Sequence, residues 1–243
     1  MNSYVNEFIY VDFSINTKYM YILDGKKLAE KIQTELKVKE TLTNQTPGLG
    51  IILVGDRADS KIYIKMKKKA CEKLGIANFD IILAESSTQV QVIEAIHKMN
   101  QDPLIHAILV QLPLPEHLKT SERTILNEIS IEKDVEGFHT MNMGNLCLNV
   151  DINSVNSCFP CTPLGCMELL KEYNISLKGK HVVVVGKSNT VGLPLGLLCL
   201  HQEATVSFCH IYTKDLKSHT RHADVLIVAC GKANLIGPDH IKS

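Results

Sequence analysis

A short lysine-rich segment contains the side chains best suited to acid/base chemistry. Ser60, Tyr63 and Lys67 recur at intervals of three and four residues, which places a hydroxyl, a phenol and an ammonium on one face of a helix. Such a set can hold a polar substrate and move a proton at a reacting atom. Lysine-rich helices more often present a solvated surface, and Tyr63 could simply lie half buried with its hydroxyl in water. The spacing alone therefore leaves both interpretations open.

The surrounding elements decide where such a helix would lie. Three apolar runs have the composition of strands, and they occupy residues 49–54, 79–84 and 106–110. Segments with apolar residues at helical spacing alternate with them, and these occupy residues 28–43, 60–74 and 88–99. Gly75 is expected to end the second of these helices. The alternation predicts a parallel sheet with covering helices, and open α/β folds place their chemistry at the carboxyl edge of such a sheet.

Two loops in this half carry further polar side chains. Gln111 directly follows the third predicted strand, and its amide could orient an ammonium or a ligand carbonyl because it both donates and accepts. Glu136 lies within Lys133–Phe138, where several charges follow one another. On its own, such a segment is typical of a solvent-facing turn.

The second half contains a nucleotide-binding pattern. A polar stretch at residues 149–157 is interpreted as the linker between one domain at 1–148 and another at 149–243. Beyond it, Thr162 is predicted to cap a helix that has Pro163 at its first position. A strand at 181–185, a helix at 195–200 and a strand at 204–209 then predict a βαβ unit, and a third strand at 224–230 is consistent with a Rossmann sheet.

The turn after the first of these strands departs from the usual dinucleotide fingerprint. Ser188 and Val191 stand where Gly-x-Gly-x-x-Gly has its second and third glycines, so close approach to a pyrophosphate depends on Gly186, Gly192 and the helix N-terminus. The end of the next strand has no carboxylate that could hold a ribose 2′-hydroxyl. This absence favours NADP over NAD.

The composition of the chain bears on which partners it can bind and where it is located. Lys plus Arg and Asp plus Glu both number 26 among 243 residues, so there is no net charge to attract nucleic acid or an anionic membrane. No apolar run approaches the roughly 20 residues of a membrane span. The first 18 residues contain no arginine and no apolar core typical of targeting peptides. We therefore expect a cytoplasmic protein that binds neither nucleic acid nor membranes.

Cysteines provide the one pattern that suggests a metal. Cys158, Cys161 and Cys166 have spacing reminiscent of metal ligands, but no second Cys or His pair follows at a finger-like interval. We predict no metal site.

Five ordered segments closely resemble the bifunctional methylenetetrahydrofolate dehydrogenase/cyclohydrolase family. These segments are Tyr63-x-x-x-Lys67 with Lys69-Ala70-Cys71-Glu72, Val110-Gln111-Leu112-Pro113-Leu114, Lys133-Asp134-Val135-Glu136-Gly137-Phe138, Pro160-Cys161-Thr162-Pro163 and Gly186-Lys187-Ser188-x-x-Val191-Gly192-x-Pro194. The resemblance covers the chain from about Tyr21 onward. It implies an α/β fold of two domains, a parallel-sheet domain and a Rossmann-type NAD(P)-binding domain, with the active-site cleft between them.

The resemblance also implies an activity in one-carbon metabolism. 5,10-Methylenetetrahydrofolate gives a hydride to NAD(P), and water then converts the methenyl cation to 10-formyltetrahydrofolate. Lys67 would be the acid/base group, Tyr63 would line the folate site and Gln111 would support the lysine; Val110, Leu112 and Glu136 would also bind substrate. The implied cofactor contacts are Thr162, Gly186, Lys187, Ser188, Val191, Gly192, His210 and Ile211. A homodimer is also expected from the family.

Several departures from the family pattern bear on function. Glu136 replaces an aspartate, Lys187 replaces an arginine, and Ile211 replaces a serine; the last two changes weaken a 2′-phosphate site. NADP remains the expected cofactor, with NAD as its rival. The sequence given stops at Ser243, before further family segments. The alternative is thus a truncated, impaired relative that binds folate or a full-length partner without turnover. A shikimate-type dehydrogenase is disfavoured because it would not need the Val110–Leu114 segment.

Overall fold

The computed structural model describes residues 8–11, 22–43, 46–150 and 158–242. The strands are β1 (Phe8–Val11), β2 (Gly48–Val54), β3 (Ala77–Leu83), β4 (Ala107–Val110), β5 (His181–Val185), β6 (Thr205–Cys209) and β7 (Val225–Val228). The α-helices are α1 (Gly25–Thr43), α2 (Ala58–Leu74), α3 (Gln89–Gln101), α4 (Glu122–Leu126), α5 (Thr140–Cys147), α6 (Cys161–Glu172), α7 (Gly192–His201) and α8 (Leu216–Thr220).

These elements form two compact α/β units. Of the described residues, the N-terminal unit comprises Lys26–Asn145, Val150 and residues 158–159. The C-terminal unit comprises the chain from Pro160 together with β1 and Leu146–Asn149. The predicted α/β class with two domains is confirmed. The single boundary predicted after residue 148 stays a prediction, because most of the interpreted linker, residues 151–157, lies outside the described residues.

The N-terminal unit is built on a three-stranded parallel sheet in the order β3-β2-β4. Strand β2 is central, and its residues Ile51, Ile52, Leu53 and Val54 are all buried. A strand with both faces covered needs a continuous apolar run rather than alternation, which is what the sequence has. The carboxyl ends of β2 and β4 therefore lie side by side, and the segments that follow them begin at the same edge of the sheet.

Two helix ends in this unit coincide with signals present in the sequence. The Thr88 side chain accepts from the Gln91 N–H while the Gln91 side chain accepts from the Thr88 N–H, which forms a capping box before α3. Helix α3 then buries Val92, Ile96 and Met99 against the sheet. Gly75 adopts a left-handed conformation with φ of 69° and ends α2, as predicted.

The C-terminal unit contains a four-stranded sheet in the order β1-β7-β5-β6. Strands β5, β6 and β7 run parallel, whereas β1 pairs antiparallel with β7. Strand β7, the third parallel strand of this unit along the chain, thus lies beside the first, β5. In the 3-2-1 half of the dinucleotide fold, the third strand instead lies beyond the second. The sequence did not predict β1, which lies far along the chain from its partner.

Helix α6 starts earlier than the sequence suggested. The helix begins at Cys161 with Pro160 at the N-cap, so Thr162 is its second residue and Pro163 its third. The prediction that Thr162 caps this helix is wrong. Proline is tolerated throughout the first turn because its missing N–H has no intrahelical partner there.

No helix among the described residues is long and apolar enough to cross a bilayer.

Candidate active site

Helix α2 places Lys67 on its inward face. The two buried residues of this helix are Ser60 and Cys71, and Lys67 is seven residues after the first and four before the second, so all three share a face. The Lys67 side chain is 32% exposed, so it is only partly open to solvent. Tyr63 lies one turn earlier and is more exposed. The interpretation of α2 as a simply solvated helix does not describe Lys67.

Gln111 is held in place where β4 ends. Its backbone N–H donates to the carbonyl of Ile52 at 2.9 Å, which extends the pairing of β4 with β2 by one residue. Its side-chain amide donates to the carbonyl of Leu112 at 2.8 Å, and the remaining Oε1 accepts from Lys67 Nζ at 3.4 Å. The amide is therefore oriented with its acceptor towards the amine.

The residues around Gln111 serve different purposes. Val110 is buried in the hydrophobic core with Ile52 and Ile108, and Leu112 packs against the same core. Their side chains thus fix the end of β4. Any contact that Val110 makes with a ligand would come from its backbone.

The loop that carries Glu136 is anchored by its two preceding charged residues. Lys133 Nζ donates to the carbonyls of Asn100 and Asp102 at 2.8 and 3.0 Å, at the C-terminal end of α3, where a cation is favoured. Asp134 is only 2% exposed and accepts from the His139 N–H at 2.8 Å and from Asn142 Nδ2 at 2.7 Å. The solvent-facing interpretation of this segment is wrong for Asp134.

Gly137 completes the anchoring of this loop. Its φ of 67° is left-handed, and a Cβ at this position would lie 2.6 Å from the carbonyl oxygen of Cys158. Only glycine meets both conditions without strain. The Gly137 N–H also donates to the Asp134 carbonyl at 3.3 Å, so the backbone on both sides of Glu136 is fixed.

Glu136 projects from this anchored loop to the amine. Its Oε1 lies 2.9 Å from Lys67 Nζ, and its side chain is 20% exposed. Lys67, Gln111 and Glu136 come from three separate segments and meet at the carboxyl edge of the sheet. The arrangement joins a proton-carrying amine to two oxygen acceptors, which is a set able to orient water and transfer a proton. The sequence identified all three residues but did not predict the contact between Lys67 and Glu136.

The glycine turn of the C-terminal unit is tightly packed. Gly186 follows β5 with φ of 129°, and a Cβ there would lie 2.2 Å from the carbonyl oxygen of Ala229. A Cβ on Gly192, at the start of α7, would lie 2.1 Å from the carbonyl oxygen of Gly186. Neither position can take a side chain. Backbone alone therefore forms the surface here, as close approach to a phosphate requires.

The Ser188 hydroxyl organises the N-terminus of α7. Its Oγ accepts from the N–H groups of Val191 and Gly192 at 3.1 and 3.3 Å. Lys187 precedes it on the same turn. The N–H groups of Val191 and Gly192 are thus paired within the turn, and the groups that remain for a dinucleotide phosphate are the Ser188 hydroxyl and the Lys187 cation.

The end of β6 lies beside this turn. Gly186 N–H donates to the Cys209 carbonyl at 2.9 Å, and His210 N–H then donates to Thr213 Oγ1 at 2.8 Å. Ile211 and Tyr212 are 88% and 80% exposed. The sequence predicted cofactor contacts at His210 and Ile211, and the structure places both in the loop that directly follows β6.

The cysteines provide no metal centre among the described residues, where no group of three or more His, Cys, Asp or Glu side chains is placed to hold an ion. Cys161 and Cys166 lie on α6, and Cys158 precedes it. Burial, assisted by the Asp134 charge, raises the pKa of the Cys158 thiol, which disfavours the thiolate that zinc requires.

Family comparisons cover most of the chain. The family model described as tetrahydrofolate dehydrogenase/cyclohydrolase, catalytic domain, matches residues 23–136. The model for the NAD(P)-binding domain of the same family matches residues 160–243.

Curated relatives agree with these matches. The chain is 49% identical over 226 residues to the bifunctional protein FolD of Nautilia profundicola. The match covers 92% of this chain and 77% of that protein. It is 46% identical over 225 residues to bifunctional protein FolD 4, chloroplastic, of Arabidopsis thaliana. That match covers 91% of this chain and 61% of the relative's length.

Solved structures show the same fold. The bifunctional FolD methylenetetrahydrofolate dehydrogenase/cyclohydrolase of Campylobacter jejuni matches with a TM-score of 0.87 and 45% identity, covering 93% of this chain and 79% of that one. The Trypanosoma brucei enzyme, solved with NADP cofactor and inhibitor, matches with a TM-score of 0.83 and 33% identity. That match covers 91% of this chain and 75% of the other.

Proposed function

This chain belongs to the tetrahydrofolate dehydrogenase/cyclohydrolase family, and we propose that it oxidises 5,10-methylenetetrahydrofolate with NADP and hydrolyses the methenyl product to 10-formyltetrahydrofolate. The observation that carries the proposal is the meeting of Lys67 with Gln111 at the carboxyl edge of the N-terminal sheet. The two residues come from two of the five segments on which the family resemblance rests. Their contact is the acid/base arrangement that the second reaction needs.

The hydrolytic step needs little from the protein beyond proton handling. The methenyl carbon is already electrophilic, so one water adds to it, the ring opens, and a net proton is released. Lys67 is the group placed to take that proton from the water and return one to the nitrogen that leaves. Gln111 keeps the amine in position through its oriented Oε1.

Folate recognition uses the same edge of the sheet. Tyr63 lies one helical turn before Lys67 with its ring exposed, so it can cover the substrate while the amine addresses the reacting carbon. Glu136 supplies a carboxylate that accepts hydrogen bonds from the pterin. These roles rest on the positions of the side chains and on the family match.

The C-terminal unit fits an NADP molecule. Gly186 and Gly192 let the turn pack against the Ala229 carbonyl and against itself, where any Cβ would collide with backbone, and Ser188 and Lys187 on this turn offer a hydroxyl and a cation to a phosphate. When bound, the oxidised nicotinamide accepts the hydride from the methylene carbon. NADP is present in the related Trypanosoma brucei structure, and the absence of a carboxylate at residues 209–213, where β6 ends, supports the same cofactor.

Two assays test the proposal. NADPH formation is followed at its absorbance with 5,10-methylenetetrahydrofolate, and loss of 5,10-methenyltetrahydrofolate is followed separately in the absence of cofactor. We expect both reactions. Binding of tetrahydrofolate without either reaction would instead support the impaired relative. Absence of both binding and turnover would refute any folate function.

Assembly remains a prediction from the family resemblance, and location remains a prediction from the N-terminal sequence. We propose a homodimer in the cytoplasm, which light scattering on the purified chain and fractionation of cells would test.

A further inference from the structure

The ion pair between Lys67 and Glu136 depends on the length of the glutamate side chain. Lys67 Nζ lies 2.9 Å from Glu136 Oε1, whereas an aspartate at this position would withdraw its carboxylate by about 1.5 Å, the length of one C–C bond. Such a retreat takes the pair beyond hydrogen-bond distance unless the Lys67 side chain changes rotamer or the backbone at residue 136 moves towards α2.

The backbone at residue 136 has little freedom to move. Asp134 is buried and holds two hydrogen-bond donors, and a parallel bridge joins it to Ile108 of β4. Gly137 lies against the Cys158 carbonyl with no space for a Cβ. Arg123 also donates to the Phe138 carbonyl at 2.8 Å. Loop adjustment therefore does not restore the contact, which depends on the length of the side chain at residue 136 and on the reach of Lys67.

The contact occupies both groups that the proposed reaction uses. Lys67 would act on the one-carbon unit, and Glu136 would accept from the pterin, yet here each is the partner of the other. The Gln111 contact, at 3.4 Å, is longer than the Glu136 contact. A folate that takes the Glu136 Oε1 acceptor, or that needs the Lys67 amine as a base, competes with the ion pair.

We propose that Glu136 is a positioning residue that holds the Lys67 ammonium while the folate site is empty, and that folate binds by displacing this ion pair. The proposal rests on the proposed function, because it takes folate as the displacing ligand. The extra methylene of Glu136 thus serves the contact with Lys67 and not a better contact with the pterin. Shortening the side chain is expected to improve folate binding, not weaken it.

Glu136→Asp tests the contact directly. It retains the charge but loses the reach, and Glu132→Asp is its matched control because Glu132 is exposed on the preceding turn. The reactivity of the Lys67 amine is measured by labelling with trinitrobenzenesulfonate and mass spectrometry, with the exposed Lys69 as internal standard. Glu136→Asp is expected to speed labelling of Lys67 relative to Lys69, whereas Glu132→Asp leaves the ratio unchanged.

Folate binding is measured on the same proteins by titration calorimetry with tetrahydrofolate. KM is measured for 5,10-methenyltetrahydrofolate in the hydrolysis reaction and for NADP in the oxidation of 5,10-methylenetetrahydrofolate. We expect Glu136→Asp to tighten folate binding and lower the folate KM about two- to fivefold, as befits a partly exposed ion pair. The NADP KM is expected to stay unchanged. Glu136→Gln is expected to speed Lys67 labelling without tightening folate binding, because the carboxylate itself is gone.

The outcomes distinguish a failure of this proposal from a failure of the proposed function. Unchanged labelling of Lys67 in Glu136→Asp overturns the ion pair. Faster labelling with unchanged or weaker folate binding overturns the displacement of the ion pair by folate. In either case, turnover by the wild-type chain would still support the proposed function. If the wild-type chain neither binds nor turns over folate, the proposed function fails and this proposal fails with it. Melting temperatures of all variants identify any loss of folding.

Discussion

Lys67 Nζ and Gln111 Oε1 lie 3.4 Å apart although 44 residues separate them in the chain. We expect Lys67→Met to abolish hydrolysis of 5,10-methenyltetrahydrofolate, because the thioether cannot carry a proton, while the fold is retained since the amine is only partly buried. A loss of at least about a hundredfold is typical of removing a general acid/base group. The measurement is the rate of decay of methenyl absorbance.

Lys69→Met is the matched control for Lys67→Met. Lys69 lies on the same helix and is exposed, so its loss should leave hydrolysis near the wild-type rate. Wild-type hydrolysis in Lys67→Met would refute the catalytic assignment, and equal losses in both variants would indicate a general effect of charge on α2.

Gly137 is expected to be intolerant of any side chain. Gly137→Ala places a residue in a left-handed conformation and drives its Cβ against the Cys158 carbonyl. A loss of at least about 2 kcal/mol in the free energy of unfolding is expected. Gly165→Ala, within α6, meets nothing within 4 Å and should stabilise by about 0.5–1 kcal/mol. Urea titration of both variants makes the comparison, and equal effects would contradict it.

Lys187→Arg is expected to increase the preference for NADP over NAD. Guanidinium can contact a phosphate through two parallel hydrogen bonds, whereas an ammonium acts as a point charge. The ratio of kcat/KM for the two cofactors measures the change. Lys178→Arg, at an exposed position before β5, should leave this ratio unaltered. A lower ratio in Lys187→Arg would indicate that the turn does not bind the 2′-phosphate.

Asp224 is expected to make folding depend on pH in the acid range. The hydrogen bond from Lys242, with a second from the His181 N–H, lowers the pKa of this carboxyl below its ordinary value. Because the pKa is lower in the folded chain, the stabilisation is complete above the unfolded value of about 3.9 and is lost as pH falls through the folded value.

Urea titrations of wild type and Asp224→Asn from pH 3 to 7 measure this dependence. We expect a difference of about 0.5–1 kcal/mol above pH 5 that shrinks below pH 4, given that both side chains are partly exposed. Glu132→Gln serves as the control at an exposed carboxyl. A difference that persists unchanged to pH 3 would contradict the role of the Asp224 charge.

Cys199 is expected to resist thiol reagents in the native protein. Burial, assisted by Cys166, raises the pKa of its thiol to about 12, so only about one molecule in ten thousand carries the thiolate at pH 8. Cys147 and Cys230 are exposed and should react with iodoacetamide within minutes. Mass spectrometry before and after unfolding identifies each site, and rapid native labelling of Cys199 would contradict its burial.

Local patterns in the sequence were sufficient for most elements, whereas the roles of the candidate site residues were predicted from the family resemblance. The apolar run of β2, the capping box at Thr88 and the glycine after α2 each act through neighbouring residues, so they can be recognised without knowing the fold. The spacing of Tyr63 and Lys67 fixed their common helix face for the same reason. The family segments added the residues that surround them.

The class of fold, the chemistry of the side chains and their order along the chain could thus be inferred before any coordinates were known. The contact of Glu136 with Lys67, the contact of Lys133 with the end of α3 and the pairing of β1 with β7 became visible only in the folded chain. Each of these relationships joins residues far apart in sequence, and no local periodicity records which distant segments will be neighbours. The physical reason is that such contacts arise from packing of whole elements, which sets distances that residue types and spacing leave free.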